Sequence, residues 1–192
     1  MNKVENKKEL IRQAAIKVMS QQGFYNTKAS QIANEAGIAV GTIYNYFKNK
    51  EAILDYIFEV ELEKRLNILK GLEDKNIGIW EKLSIFLNNH FEEIRKNIAV
   101  GEILVKEKEF PRKNGSESIN NYLNNLPSSL KKLLDKAQKN GEIKESVNIT
   151  VLASVIFGGI QGLVEKAINT DPAILNQAPQ QLIEIFKNGI EQ

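Results

Sequence analysis

Apolar residues recur at intervals of three and four along almost the whole chain, and no long segment alternates as a half-buried strand does. This pattern predicts an all-α protein of about nine helices. The predicted segments are residues 7–22, short helices through 32–36 and 42–47, and then 50–72, 80–94, 101–109, 116–140, 148–169 and 179–188.

Residues that commonly form helix ends stand at four of these boundaries. Gly23 and Gly37 follow the first and second helices, where glycine supplies the left-handed stop. Thr27 and Asn49 are expected to be the N-caps of the second and fourth helices. These four residues therefore separate the first four helices.

Two prolines affect the later helices. Pro127 lies in the middle of the 116–140 pattern and is expected to kink or divide that helix. Pro179 is expected to open the last helix, because the N–H that proline lacks has no helical partner in the first turn. Residues 110–115 are expected to form a loop, and residues 170–178 a linker.

The composition is that of an ordinary globular chain: 192 residues, 42% of them hydrophobic and 26% charged. No apolar stretch approaches the length of a membrane span, and the N-terminus lacks the pattern of a secretory signal. The absence of cysteine excludes disulfides, thiolate metal sites and cysteine nucleophiles. A cytoplasmic protein with no membrane partner is expected.

The net charge of +2 conceals an uneven distribution along the chain. Residues 1–50 contain 8 Lys and Arg against 3 Asp and Glu, whereas residues 51–192 contain 18 against 21. A basic N-terminal segment on an acidic body indicates that the first fifty residues meet a polyanion.

Residues 27–47 have the spacing of a helix-turn-helix. Ala33 is small where the two helices must cross, Gly37 can adopt a positive φ, and Ile38 fills the cleft between the helices. Ile43 and Phe47, four residues apart, hold the second helix from below. The alternative is a packed pair of helices with no role in DNA binding.

The outer face of the second helix is small at its start and polar beyond it, which suits entry into a major groove. Its outward residues are Ala39, Val40, Gly41, Thr42, Tyr44 and Asn45. Thr27 and Lys28 at the start of the preceding helix, and Lys48 and Lys50 near the start of the fourth, are expected to hold phosphates.

Residues 7 to about 55 resemble the N-terminal domain of tetracycline-repressor (TetR) type transcriptional regulators. The matching positions are Gly23-Phe24, Ile32-Ala33, Ala36-Gly37-Ile38, Gly41-Thr42-Ile43-Tyr44-Asn45-Tyr46-Phe47, Lys50-Glu51 and Leu54. The resemblance implies a three-helix DNA-binding domain (1–50) joined through the helix at 50–72 to a helical ligand-binding and dimerisation domain (51–192).

The resemblance also implies roles for single residues. Thr27, Lys28, Thr42, Tyr44 and Lys50 fall at positions that commonly touch DNA phosphates, and Ala39, Gly41 and Asn45 at positions that approach bases. Family members often have polar or basic residues where this chain has Ala39 and Val40. Direct hydrogen bonds to bases are therefore expected to be few, and methyl contacts or DNA shape to contribute more to specificity.

A homodimer interface is expected on the last two helices. Gly158, Gly159 and Gly162 lie within an apolar helical run, and glycine there costs about 1 kcal/mol each relative to alanine. A closely approaching backbone offsets that cost. With Ile183 and Phe186 of the final helix they form a surface suited to a four-helix interface between two copies, the alternative being an ordinary intramolecular core.

An effector pocket is implied for the C-terminal domain, and its candidate lining is apolar. The candidates are Phe86, His90, Phe91, Ile103, Leu104, Tyr122, Leu126, Phe157 and Gln161. His90, the only histidine, lies on an apolar stripe, so it is either a satisfied core residue or a polar group that orients the ligand.

Nothing in the chain suggests catalysis, a metal or a cofactor: no GxSxG, Walker or HExxH motif is present, and Glu59, Glu61 and Glu63 are expected to form a solvated face. The expected protein is a repressor released from a palindromic operator by a small hydrophobic molecule.

The effector class is left open. Residues 140–145 followed by 156–159 are similar to family members that sense fatty acyl-CoA. The alternatives are a multidrug-responsive regulator of an efflux gene, with Glu93, Glu102 and Glu107 as carboxylates able to pair with a cation, and an effector-free architectural DNA-binding factor.

Overall fold

The computed structural model of the chain describes residues 3–108 and 117–190, and these residues form nine α-helices and no strand. The helices are α1 (Lys3–Asn26), α2 (Ala29–Glu35), α3 (Val40–Tyr44), α4 (Lys50–Glu73), α5 (Ile79–Lys96), α6 (Ile98–Lys106), α7 (Glu117–Lys139), α8 (Ile149–Asn169) and α9 (Ile174–Ile190). The prediction of an all-α protein is confirmed.

The N-terminal unit consists of α1, α2 and α3 around a small apolar core. Ile11 and Ala15 of α1, Ile32 of α2 and Ile43 of α3 are almost completely buried there. Gly23 has φ 78° and ψ 161°, so α1 bends sharply at this residue before a last turn that ends at Asn26. Glycine adopts this conformation without the steric penalty of a side chain.

Helix α4 joins the N-terminal unit to the rest of the molecule. The side chain of Asn49 accepts a hydrogen bond from the Ala52 N–H at 2.9 Å, so the predicted N-cap is confirmed. Over its 24 residues the helix contacts α1 of the N-terminal unit and also α5 and α7. A displacement of α4 therefore changes its contacts both with the N-terminal unit and with the C-terminal helices.

The C-terminal helices pack as a bundle in which α8 contacts α6, α7 and α9, and α5 contacts α9. Gly101 allows the close approach of α6. A Cβ at this position would lie 2.9 Å from Val164 Cγ1 and 3.0 Å from Ile94 Cγ2, closer than side chains normally pack. Helix α6 crosses α8 at Gly101. It begins at Ile98, three residues before the predicted start, and ends at Lys106, before the predicted end at residue 109.

Several predicted boundaries are wrong. The N-cap of α2 is Lys28, and Thr27 instead lies buried before it. Pro127 does not divide α7, which is one continuous helix from Glu117 to Lys139. Helix α9 begins at Ile174 and contains Pro179 in its interior, so the expected linker is shorter. The expected loop at 110–115 lies outside the described residues.

Helix α8 is long and apolar enough, by length and composition alone, to cross a membrane, contrary to the expectation from the sequence. It packs against three helices of the bundle, and Leu152, Ile156, Ile160 and Val164 on its inner side are buried. One or two helices of this kind are weak evidence for a membrane protein. On its outer side Val151 and Val155 are exposed.

Candidate DNA interface and effector cavity

The α2–α3 segment has the geometry of a helix-turn-helix. Gly37 has φ 64°, and the Ile38 N–H donates to the Ala33 carbonyl at 3.0 Å, which closes the turn. Ile43 and Phe47 are 1% and 5% exposed and fix α3 against the core. The inward positions predicted for Ala33, Ile43 and Phe47, and the positive φ predicted for Gly37, are those the structure shows.

The outer face of α3 presents most of the predicted base- and phosphate-contacting residues together. Ala39, Val40, Gly41, Tyr44 and Asn45 are exposed, and Tyr44 is 55% accessible. Thr42 is half-buried beside them. A Cβ built on Gly41 would meet nothing within 4 Å, so internal packing does not require glycine here. A small residue at this point leaves room for another molecule.

Four of the predicted phosphate ligands lie outside α3, and two of these four are exposed while two are not. Lys28 at the start of α2 and Lys48 before α4 are exposed and flank α3. Thr27 is 2% exposed, and its hydroxyl donates to the Gly23 carbonyl at 2.8 Å. The side chain of Thr27 thus stabilises the α1–α2 turn and does not face solvent, contrary to its predicted position.

The ammonium group of Lys50 also has its hydrogen-bond partners within the protein. Its Nζ donates to the carbonyl oxygens of Phe24 at 2.6 Å, Thr27 at 2.8 Å and Tyr25 at 3.3 Å, and lies 4.2 Å from the centre of the Phe24 ring. Burial lowers the pKa of Lys50. An ammonium group has three hydrogens, and carbonyls accept all of them here. Lys50 therefore supports the bend at the end of α1.

A narrow cavity with a free volume of about 10 Å³ lies among α5, α6, α7 and α8. Its lining is His90, Ile94, Leu104, Val105, Tyr122, Ile160, Gln161 and Val164. Little of this space is wide enough for a water molecule. Because ligand pockets usually have volumes of about 300–1,000 Å³, an occupied state requires the surrounding helices to separate.

Four of the nine predicted pocket residues, His90, Leu104, Tyr122 and Gln161, line this cavity. The other five are not part of its lining. Phe86, Phe91, Ile103 and Leu126 are buried in the neighbouring core, and Phe157 is half-buried with its ring 6.3 Å from that of Tyr122. His90 is 3% exposed and lines the cavity, and its role in orienting a ligand stays a prediction.

A chain of buried polar side chains extends from the cavity to α1. Arg65 Nε donates to His90 Nδ1 at 3.0 Å, and Arg65 Nη1 donates to Glu61 Oε2 at 2.7 Å. Arg12 Nη1 donates to Glu61 Oε1 at 3.1 Å, and Lys64 Nζ to the same oxygen at 2.9 Å. Arg12, Glu61 and Arg65 are each at most 2% exposed. The expected solvated face therefore does not include Glu61.

The environment sets the charge of each group in this chain. Burial disfavours the Glu61 carboxylate, but Arg65 and Lys64 outweigh that effect and hold its pKa below the ordinary value. Burial and then the charge of Arg65 lower the pKa of His90 well below its ordinary value. At neutral pH the pair of Arg65 and Glu61 is ionised, and the imidazole is neutral.

Three buried nitrogens of the described residues have no hydrogen-bond partner: Arg65 Nη2, His90 Nε2 and Gln161 Nε2. Two of them belong to side chains that line the cavity. Sequence reasoning missed Arg12, Glu61 and Arg65. The available signal was their position on the apolar stripes of α1 and α4, with Glu61 and Arg65 four residues apart.

The carboxylates considered for binding a cation lie elsewhere. Glu93 is exposed and near Lys96, and Glu102 pairs with Lys106 at 3.3 Å. Glu107 accepts a hydrogen bond from the Phe24 N–H at 3.0 Å and so joins α6 to the bend in α1. None of the three lines the cavity as the structure describes it.

Helices α8 and α9 share an exposed apolar surface, defined here as the α8–α9 face. Val151, Val155 and Ile185 are 57%, 51% and 64% exposed, and Phe186 and Ile183 are half-buried beside them. A Cβ on Gly158 or Gly162 would meet nothing within 4 Å, whereas one on Gly159 would lie 3.6 Å from Leu182 Cδ2. Packing within the chain therefore does not account for Gly158 and Gly162.

Comparison with known proteins covers both halves of the chain. Residues 11–57 match the family described as "Bacterial regulatory proteins, tetR family", and residues 58–177 match "YsiA-like protein, C-terminal region". Over 182 residues the chain is 29% identical to the fatty acid metabolism regulator protein of Bacillus subtilis (strain 168), with 92% of each chain covered.

Two solved structures are similar to the whole fold. The transcriptional regulator FadR from Bacillus subtilis in complex with stearoyl-CoA has a TM-score of 0.80 and 26% identity, covering 95% of this chain and 99% of that one. The fatty acid degradation regulator FadR from Bacillus halodurans has a TM-score of 0.81 and 25% identity, covering 92% and 94%. The similarity extends across the helix-turn-helix and the C-terminal bundle.

Proposed function

The chain belongs to the tetR family of bacterial regulatory proteins, and from this premise we propose that it is a cytoplasmic homodimeric repressor that releases a palindromic operator when a fatty acyl-CoA-like molecule binds its C-terminal domain. Family membership makes it a DNA-binding transcriptional regulator that responds to a ligand.

The operator interface is the outer face of α3 with Lys28 and Lys48 beside it. The two lysines neutralise phosphates, and Tyr44 and Asn45 reach the backbone and base edges of the major groove. Ala39 and Gly41 offer only methyl and backbone contacts. Sequence-dependent DNA shape is therefore expected to contribute much of the specificity.

The dimer forms through the α8–α9 face. An isologous four-helix interface covers Val151, Val155 and Ile185, and it places the Gly158 and Gly162 backbones where a second helix can approach closely. The two-fold axis presents two α3 helices to successive major grooves. Their expected separation is one DNA turn, about 34–36 Å.

A fatty acyl-CoA-like effector fits the cavity better than a cationic drug does. The unpaired polar atoms at the cavity are N–H donors, and Glu93, Glu102 and Glu107 do not line it. Relatives of this chain are fatty acid metabolism regulators, and one was solved with stearoyl-CoA. An apolar chain with an acceptor group at one end matches both observations.

Coupling to DNA runs through α4. A ligand that separates the helices around His90 moves Arg65, and with it the Glu61 carboxylate that holds Arg12 of α1. The Glu107–Phe24 hydrogen bond is a second link from the cavity's helices to the α1 bend. Both links move the N-terminal unit against its partner copy and change the α3 separation. The expected coupling is about 1–3 kcal/mol.

The observation on which this proposal mainly depends is the buried chain from His90 to Arg12, which joins the cavity to the DNA-binding unit. The test uses an operator recovered from a random DNA library by selection with the purified protein. We expect stearoyl-CoA to weaken operator binding, measured by fluorescence anisotropy, by about tenfold or more. Coenzyme A alone serves as the control and is expected to have no effect.

The narrowness of the cavity favours the second candidate, an effector-free architectural factor. Such a factor has a filled core, and its operator affinity is the same at every concentration of stearoyl-CoA. The anisotropy titration therefore distinguishes the two functions. Unchanged affinity under saturating ligand, with ligand binding demonstrated by calorimetry, would contradict repression by release.

A further inference from the structure

We propose that His90 Nε2 and Gln161 Nε2 form a donor-only subsite for an acceptor oxygen, a thioester carbonyl or a carboxylate, at the polar end of an apolar effector. This inference rests on the proposed function and specifies how its ligand is held. The remaining cavity wall, with Ile94, Leu104, Val105 and Val164, contacts the apolar tail.

Arg65 determines which ring nitrogen of His90 carries the hydrogen and can donate it to a ligand. A guanidinium group only donates hydrogen bonds, so the Arg65 Nε contact at 3.0 Å makes His90 Nδ1 an acceptor. The neutral ring then carries its proton on Nε2. Nε2 is buried, lacks a partner and belongs to a side chain that lines the cavity. Arg65 is thus the positioning residue for this donor.

Lys108 fixes the orientation of the Gln161 side-chain amide. Its Nζ donates to Gln161 Oε1 at 3.3 Å, which directs the amide so that Nε2 is the atom left without a partner. An amide in the opposite orientation would place its NH₂ group against an ammonium group. The orientation therefore follows from charge, and Gln161 offers N–H hydrogens to the cavity.

Leaving such donors buried and unpaired is unfavourable, because each has lost its hydrogen bond to water without gaining another. A ligand oxygen removes that cost, whereas an alkyl chain without oxygen does not. This penalty gives the cavity a preference for an acceptor at the His90–Gln161 end and for hydrocarbon elsewhere.

The charge next to the subsite favours a negative or partly negative oxygen. Arg12, Lys64 and Arg65 pair with the carboxylates of Glu9, Glu61 and Glu93, so the charges of this cluster balance, and Arg65 is the member that contacts His90. A cationic head group at the same place meets N–H donors and the neighbouring guanidinium group. The subsite therefore discriminates against amines.

The test compares three probes that share an eighteen-carbon tail: stearoyl-CoA, stearate and stearylamine, supplied from cyclodextrin and titrated calorimetrically into the intact protein. We expect at least one acyl probe to bind more tightly than stearylamine. Whether stearoyl-CoA or stearate binds more tightly identifies the thioester or the carboxylate as the group that the subsite recognises.

The variant Gln161→Glu replaces the donor by an acceptor of the same shape and keeps the contact with Lys108. We expect it to bind the preferred acyl probe at least tenfold more weakly. Gln177→Glu, an exposed change of equal charge on α9, is expected to bind as the wild type does. Far-UV circular dichroism and the midpoint of urea unfolding check that each variant is folded.

Equal acyl affinity of the wild type and Gln161→Glu would overturn the subsite, as would tighter binding of stearylamine or no binding of either acyl probe. Gln161-dependent binding that leaves operator affinity unchanged would support the subsite and overturn the proposed function. The two failures are thereby distinguished.

Discussion

Three cationic side chains contact the carboxylate of Glu61, and this cluster affects the stability of the fold. Arg12, Lys64 and Arg65 donate to its two oxygens at 2.7–3.1 Å, and the carboxylate is 1% exposed. Removing one partner from a buried ion pair of this kind strongly destabilises the fold, because the remaining charges are left buried without compensation.

Replacement of Glu61 by Gln is therefore expected to lower the free energy of unfolding by about 3 kcal/mol or more at pH 7. Urea unfolding measures this loss. Glu59→Gln, an exposed change on the same helix, is the matched control and is expected to alter stability by about 0.5 kcal/mol at most. A Glu61→Gln protein as stable as the control would contradict the role assigned to this carboxylate.

The same variant has a predictable pH dependence. Because the folded-state pKa of Glu61 is depressed, its stabilisation is fully present above the unfolded pKa of about 4.3 and is lost as the pH falls through the lower folded-state value. The difference in unfolding free energy between wild type and Glu61→Gln should thus be constant near neutrality and shrink below about pH 4. A difference that grows on acidification would contradict this assignment.

At the scale of helices, local patterns were enough to predict α4, α5 and α8 and the turn at Gly37, because helical periodicity and capping are local properties. They failed at Pro179, where α9 continues through the proline from Ile174 because tertiary packing outweighs propensity. The local patterns also failed to predict that the side chains of Lys50 and Thr27 turn inward. Their orientation depends on how the end of α1 packs near the start of α4, which residue spacing does not reveal.

Two glycines of the helix-turn-helix are expected to respond oppositely to substitution. Gly37 has φ 64°, so Gly37→Ala should destabilise the fold by about 1–2 kcal/mol. Gly41 is helical and its Cβ position is open, so Gly41→Leu should preserve stability but weaken operator binding about tenfold or more, because the side chain obstructs the groove. Thermal unfolding and anisotropy measure the two effects.

Gly71→Leu is the control for the second substitution, since Gly71 is also exposed on a helix with open space around it but lies far along α4. Gly71→Leu should change neither the stability of the protein nor its affinity for the operator. Operator affinity of Gly41→Leu equal to that of Gly71→Leu would remove the outer face of α3 from the DNA interface.

For the molecule as a whole, dimerisation places two α3 helices on one operator. Introducing a charge into the α8–α9 face should separate the subunits. We expect Gly158→Arg to be monomeric by sedimentation at micromolar concentration and to lose most operator affinity, whereas Gly71→Arg remains dimeric. A dimeric Gly158→Arg would place the interface elsewhere.

The sequence indicated which helices would surround an effector, but not the polar chain behind them. His90, Tyr122 and Gln161 were identifiable from the apolar stripes and the family resemblance. The contribution of Arg65 depends on α4 and α5 lying side by side, and that of Arg12 on α1 crossing α4. Long-range contacts of this kind have no signature in a single sequence.

The central claim is that effector and operator bind to different conformations of one dimer. Thermodynamic linkage then requires the effect to be reciprocal: operator DNA must weaken stearoyl-CoA binding by the same factor by which stearoyl-CoA weakens operator binding. Calorimetric titration of stearoyl-CoA into the free dimer and into the dimer saturated with operator measures this directly. We predict an affinity about tenfold or more lower in the complex, and equal affinity in the two titrations would contradict the account.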